Sequence, residues 1–86
     1  MGLDIVEMIM QVEEEFDFQA ENADWEQVRT IGDIYEIVCK QTAREPKRPP
    51  DDETWHKILA IVEYGSAIPK EELRYDTRLV DDLKLS

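Results

Sequence analysis

The sequence has little of what most catalytic and metal-binding sites use. Among its 86 residues there are one cysteine, one histidine and three isolated glycines. A single cysteine forms no internal disulfide, which is typical of a reducing compartment, and we expect Cys39 to be a small core residue. His56 lies at a predicted helix start, where a solvated or capping role is more common than catalysis, and the acidic run 13–17 lacks calcium-loop spacing. The sequence therefore predicts no catalytic site, no metal site and no enzyme.

Basic residues and long apolar runs are also scarce. Ten basic residues stand against 21 acidic ones, which gives a net charge of −11. Such a balance disfavours nucleic acids and anionic membrane surfaces, and no apolar run approaches the roughly 20 residues of a membrane-spanning helix. Since the first residues do not resemble a signal peptide, we expect a cytoplasmic protein. The charge favours partner proteins with basic patches, although it also serves as a simple solubility device.

Apolar residues recur at three- and four-residue spacing in three stretches, 3–16, 30–42 and 53–64. This period predicts three long amphipathic helices, and no stretch has the alternation of a strand. A short helix near 23–28 completes the prediction of an all-α fold, a small four-helix bundle. The side chains expected to be buried against one another are Ile9, Val12, Phe16, Ile34, Val38, Trp55, Leu59 and Val62.

Local signals support the predicted helix ends. Thr30 followed by Asp33 has the form of a capping box at the start of helix 30–42, with aspartate in place of the usual glutamate. Gly65 follows helix 53–64, where a left-handed residue commonly ends a helix. Trp25 is expected to pack the short helix onto the bundle.

The segment 43–52, with three prolines, is the clearest break in the chain. Proline does not continue a helix, so we interpret this segment as an extended linker within one domain, residues 1–86. Ten residues span up to about 30 Å, which is enough to close the bundle within one chain. We therefore expect a monomer, with a dimer that exchanges helix 53–64 as the alternative. The long loop 65–86 is expected to be anchored by its apolar residues, Leu73, Tyr75, Leu79, Val80 and Leu83.

Four stretches of the sequence resemble acyl carrier proteins. LDIVEMIMQVEEEFDF, beginning at Leu3, resembles the recognition helix of that family, and TIGDIYEIV resembles the start of its last helix. Residues 22–28 stand where the family has a short acidic helix, and EELRYDTRLVDDL resembles its long loop. If the end of the chain is placed before its start, these stretches follow one another in the order found in the family. The present chain begins at a different point of that order. The resemblance therefore implies a circularly permuted carrier: residues 1–42 correspond to the second to fourth helices, and 53–86 to the first helix and the loop.

The resemblance implies a function in lipid metabolism: carrying acyl groups on 4′-phosphopantetheine attached to the serine of a D-S-L motif. Placing the end of the chain before its start aligns Gly2 with that serine and Ser86 with the preceding aspartate. Ser86 is the only hydroxyl near the join and is the candidate attachment residue. If the strict alignment holds, the alternative is a carrier-like protein-binding module without an attachment serine. In either case the permuted order predicts that Met1 and Ser86 lie close together.

The acidic helix 3–16 is the expected partner surface. Carrier-like docking on basic-patched enzymes or other proteins would combine steering charge with an adaptable apolar contact. We expect Ile5 or Met8 at the centre of the contact. The complete set of expected contact residues is Asp4, Ile5, Glu7, Met8, Glu14 and Glu15.

Overall fold

A computed structural model of the chain describes residues 5–20, 25–47 and 50–79. Within these residues there are three α-helices, α1 (Ile5–Phe16), α2 (Ile31–Gln41) and α3 (Glu53–Ser66), and a 3₁₀ helix, Lys70–Glu72. The described part of the chain contains no strand, only an isolated antiparallel bridge. The prediction of an all-helical fold is confirmed. Of the predicted short helix near 23–28, the structure describes Trp25 and Glu26 as helical, and its start lies outside the described residues.

The first helix ends in a left-handed residue that is not glycine. Asp17 has φ of 54°, and the backbone N–H of Phe18 donates to the carbonyl oxygen of Glu13 at 3.1 Å. This is the long-range bond of a Schellman ending, which satisfies a carbonyl in the last turn. The ending turns the chain back, so that the residues after α1 return along the helix that they have just left.

The predicted capping box of α2 is confirmed. Thr30 accepts a hydrogen bond from the Asp33 N–H at 3.2 Å, and the Asp33 carboxylate accepts one from the Thr30 N–H at 3.1 Å. The same carboxylate also accepts from the Arg29 N–H at 2.9 Å. Backbone N–H groups at this helix start are thus paired within the chain, as helix starts require.

The predicted ending of α3 at Gly65 is wrong. Gly65 is a buried residue inside the helix, which continues through Ser66, and the left-handed residue is Ala67, with φ of 59°. The Ser66 hydroxyl donates to the Val62 carbonyl at 2.7 Å, and the Ala67 N–H donates to the Glu63 carbonyl at 2.9 Å. The main-chain bond from Ala67 continues the helical pattern beyond the position that glycine preference alone indicates.

We expect Ala67→Gly to raise the free energy of unfolding by about 1 kcal/mol, because a left-handed conformation costs a residue with a Cβ atom about that much. The matched control is Ala60→Gly, which makes the same change at an exposed position inside α3. There the loss of helix propensity should lower stability by about 0.5–1 kcal/mol. Urea unfolding of both variants is the measurement, and two changes of the same sign would contradict the assignment of the helix end.

The predicted core is confirmed for most of its members. Val12, Ile34, Val38, Trp55, Leu59 and Val62 are buried. Ile9 and Phe16 are only partly buried and pack against this cluster from its edge. Cys39 is buried, as expected of a core cysteine. The α2–α3 contact includes an edge-to-face pair of Tyr35 and Trp55, whose ring centroids are 5.6 Å apart.

Hydrogen bonds hold the connection between α2 and α3 against the bundle, and two of them use the buried Tyr35 hydroxyl. The Tyr35 hydroxyl accepts a hydrogen bond from the Lys47 N–H at 2.8 Å and donates to the Asp52 carboxylate at 3.0 Å. Asp52 is also the N-cap of α3, accepting from the Trp55 N–H at 2.9 Å. A second tie joins Arg44 to Thr54, at 2.7 Å. The described linker residues are therefore fixed at several points.

The loop after the 3₁₀ helix pairs with the start of α2. The N–H groups of Ile31 and Gly32 donate to the carbonyls of Thr77 and Tyr75, at 3.1 and 2.8 Å. A Cβ atom at Gly32 would lie 2.5 Å from the Tyr75 ring, so this close approach requires glycine. Leu79 is buried here, and Leu73 is buried nearby, so both are the core anchors that the sequence predicts.

Candidate functional site

The predicted attachment region lies outside the described residues. This applies to Gly2, Asp4 and Ser86, and to the expected proximity of Met1 and Ser86. For Ile5 the structure describes the backbone as the first residue of α1, and its side chain lies outside what is described. Attachment at Ser86 and the closeness of the chain ends therefore stay predictions.

Met8 is not available as a surface contact, which corrects the predicted apolar anchor. Its side chain is fully buried in the core, whereas Val6 and Met10 on the same helix are 64% and 55% exposed. The helical period explains the difference, because residues two apart lie on nearly opposite sides of a helix. The apolar stripe through Met8, Ile9 and Val12 already places Met8 inward and leaves Met10 outside it.

The predicted acidic residues of α1 are exposed but lie on different sides. Glu7, Glu14 and Glu15 all face solvent. Glu15 lies at the seam with α3, where its carboxylate is 3.9 Å from the Lys57 ammonium group. Lys57 also lies 5.9 Å from the centre of the Phe16 ring. Glu15 is therefore part of a surface ion pair, of a kind that contributes little to stability.

Two adjoining open depressions, of about 380 and 440 Å³, run along α1 and the residues that follow it. They share Met10, Glu13 and Gln19 as lining residues, and we call them together the α1 groove. Of the predicted contact residues whose side chains the structure describes, only Glu14 lines it. The apolar lining consists of Val6, Ile9, Met10, Phe18, Ala20 and Trp25, and the acidic lining of Glu13, Glu14, Asp17 and Glu26.

Glu13 forms the junction between the two sides of the α1 groove. One oxygen of its carboxylate, Oε2, accepts hydrogen bonds from the Ala20 N–H at 3.0 Å and from the Trp25 indole N–H at 3.3 Å. Trp25 is buried and stacks on Phe18, with the ring centroids 6.3 Å apart. Glu13 is not among the predicted contact residues, and the only sequence signal for its role is its place in an EEE run shortly before a turn and a tryptophan.

The single cysteine, Cys39, is a buried core residue. Burial raises the pKa of the Cys39 thiol, which keeps it protonated inside the core. No group of three or more histidine, cysteine, aspartate or glutamate side chains within the described ranges is arranged to hold a metal ion. None of the helices in this part of the chain is long and apolar enough to cross a membrane.

Curated proteins similar to this chain are acyl carrier proteins. One from Syntrophobacter fumaroxidans is 42% identical over 42 residues, which cover 49% of this chain and 52% of that protein. One from Chlamydia felis is 50% identical over 37 residues, covering 43% and 47%. One from Clostridium perfringens is 40% identical over 43 residues, covering 50% and 57%. The chain thus spans about half the length of the curated relatives it matches.

A different family is indicated by a family model described as the adenylate and guanylate cyclase catalytic domain, which matches residues 1–72. No solved structure matches the chain. The two sequence comparisons disagree, and the structure bears on the choice. The described residues form a helical bundle that is compatible with a small carrier-like fold. Residue identity with several carriers and the helical fold agree with each other, and over about half of its length the chain is similar to acyl carrier proteins.

Proposed function

We propose that this chain is a carrier domain that holds acyl groups as thioesters on 4′-phosphopantetheine and presents them to partner enzymes. The observation that carries the proposal is the residue identity of 40–50% with proteins named acyl carrier protein. The helical bundle and the α1 groove, which combines exposed apolar side chains with carboxylates, support it.

Attachment at Ser86 is part of this proposal. A phosphodiester link to the protein needs a side-chain hydroxyl; Gly2 has none, and Ser86 has one. Ser86 is therefore the residue that would hold the group. When bound, 4′-phosphopantetheine supplies the thiol on which an acyl group forms a thioester.

We expect the wild-type chain, produced with a 4′-phosphopantetheinyl transferase, to gain the mass of one phosphopantetheinyl group. Intact-mass spectrometry is the measurement. Ser86→Ala is the first control and should remain at the apo mass. Gly2→Ser is the second, because it restores a hydroxyl at the position that aligns with the attachment serine of the family.

The three masses separate the candidate functions. A gain by wild type that Ser86→Ala abolishes would support a working carrier. A gain by Gly2→Ser alone would identify a carrier-like binding module that lacks its attachment serine. If none of the three proteins gains mass, the carrier function is wrong.

The proposed partner surface is the exposed side of α1. Glu7 and Glu14 supply negative charge, and Val6 and Met10 supply the apolar contact that was predicted at Ile5 or Met8. Such a surface suits an enzyme or another protein with a basic patch, because opposite charge accelerates encounter while apolar burial stabilises the complex. The monomeric state expected from the reach of the linker stays a prediction.

A further inference from the structure

We propose that Glu13 is a positioning residue: it shapes the α1 groove to accept a basic amphipathic helix and does not itself steer the partner. The inference rests on the proposed function only in taking this groove as the docking surface. Its basis is the return of the chain along α1 after Asp17. There one carboxylate oxygen of Glu13, on α1, is bonded to both Ala20 and Trp25.

The contacts of Glu13 define one wall of the groove. The backbone of Glu13 accepts from the Phe18 N–H, while its side chain accepts from the Ala20 N–H and from the Trp25 indole. Both side-chain bonds use Oε2 and are 3.0 and 3.3 Å long. Removing the carboxylate would leave two donors without their protein partner, and the wall would lose the bonds that fix it against α1.

Three consecutive glutamates therefore have three different roles. Glu13 is half-buried and bonded to the fold-back segment, Glu14 is exposed at the groove, and Glu15 faces Lys57 on α3. Charge alone would make Glu13 and Glu14 equivalent. The geometry makes them different, and this difference is measurable.

The lining of the groove indicates what occupies it. Val6 and Met10 give an exposed apolar centre, and Glu14, Asp17 and Glu26 surround it with negative charge. An amphipathic helix with leucine on one face and lysine on the other complements both features. The flexible Met10 side chain adapts its shape to such a partner. The rigid Trp25 ring fits the partner helix only if the ring is held in a fixed position.

The experiment compares Glu13→Ala with Glu14→Ala, which remove the same charge from neighbouring positions. The probe is a synthetic amphipathic helical peptide of leucine and lysine, and affinity is measured over a range of ionic strength. We expect Glu14→Ala to weaken binding by no more than about fivefold and to flatten the salt dependence. Glu13→Ala should weaken binding by about tenfold or more, because the wall must be reordered on binding.

Hydrogen exchange in the free protein gives a readout that charge does not change. We expect Glu13→Ala to speed exchange at the Ala20 amide and the Trp25 indole, and Glu14→Ala to leave both as in wild type. Glu13→Gln keeps an acceptor oxygen while removing the charge, so it should retain the slow exchange and resemble Glu14→Ala in affinity. If Glu13→Ala does not fold, as judged by circular dichroism, Glu13→Asp replaces it, since it keeps the charge on a side chain one methylene shorter.

Equal effects of Glu13→Ala and Glu14→Ala on affinity, with unchanged exchange at Ala20, would overturn the positioning role. Failure of wild type to bind the peptide would overturn the proposed occupant. Both outcomes are independent of phosphopantetheinylation. The carrier function can therefore fail in the mass experiment while Glu13 is still shown to shape the groove, and the reverse also holds.

Discussion

Replacing Leu59 with alanine is expected to lower the free energy of unfolding by about 2–5 kcal/mol. Leu59 is 6% exposed and lies on the face of α3 that also buries Trp55 and Val62. The truncated side chain would leave a cavity, because close-packed neighbours relax only partly into such a space. A small domain has only about 5–15 kcal/mol of total stability, so the variant would be close to unfolding at ambient temperature.

Urea unfolding followed by circular dichroism measures this loss. Tyr64→Ala on the same helix is the control, because Tyr64 is 71% exposed and its truncation should change stability by no more than about 0.5 kcal/mol. A loss below about half a kcal/mol at Leu59 would contradict its place in the core.

The second large effect is expected for Tyr35→Phe, which removes one buried oxygen atom and leaves the ring in place. The Asp52 carboxylate would lose a donor and the Lys47 N–H would lose its acceptor. A hydrogen bond contributes about 0.5–1.5 kcal/mol to stability and one to a charged group about 1.5–3 kcal/mol, so the variant should lose about 1–3 kcal/mol. It should also exchange its Lys47 amide hydrogen faster, because that amide is held by the missing oxygen.

The same tyrosine should make stability depend on pH in the alkaline range. Burial, with a smaller contribution from the hydrogen bond to Asp52, raises the pKa of Tyr35 from 10.0 to about 12. Because the folded pKa lies above the unfolded one, this contribution is fully present below the unfolded pKa and is lost as pH rises through the folded pKa. The difference in unfolding free energy between wild type and Tyr35→Phe should therefore shrink between pH 10.0 and about 12.

Tyr64→Phe is the matched control, since it removes the same atom from an exposed ring. It should leave both the neutral-pH stability and the Lys47 exchange rate as in wild type. If Tyr35→Phe behaves in the same way, the hydroxyl does not hold the connection between α2 and α3.

The helices could be predicted from the sequence because their signals are local. Apolar periodicity located all three, and the Thr30–Asp33 pair located the start of α2. The end of α3 could not be predicted in this way. Glycine preference favoured Gly65, but the Ala67 N–H bond to the Glu63 carbonyl continues the helix past it, and Ala67 takes the left-handed conformation despite its Cβ atom.

The site was harder to predict because it depends on contacts between distant residues. The sequence shows Glu13 as one of three similar acids, and only the fold-back at Asp17 brings Ala20 and Trp25 to its carboxylate. The choice of Met8 as anchor had a different cause. Met8 was predicted as the anchor because methionine adapts its shape to a partner, whereas the apolar stripe of the same helix places Met8 inside.

The pairing of the loop 75–79 with the start of α2 has a consequence for folding kinetics. Residues of these two segments are far apart in sequence, with α3 between them, so bonds such as that from Gly32 to Tyr75 form only after a long loop has closed. Helical bundles with mainly local contacts fold fast, and contacts between residues distant in sequence lower the folding rate. We infer that α2 and α3 associate early through the linker, and that the close approach of Gly32 and Tyr75 is made late, as the loop closes over the start of the helix.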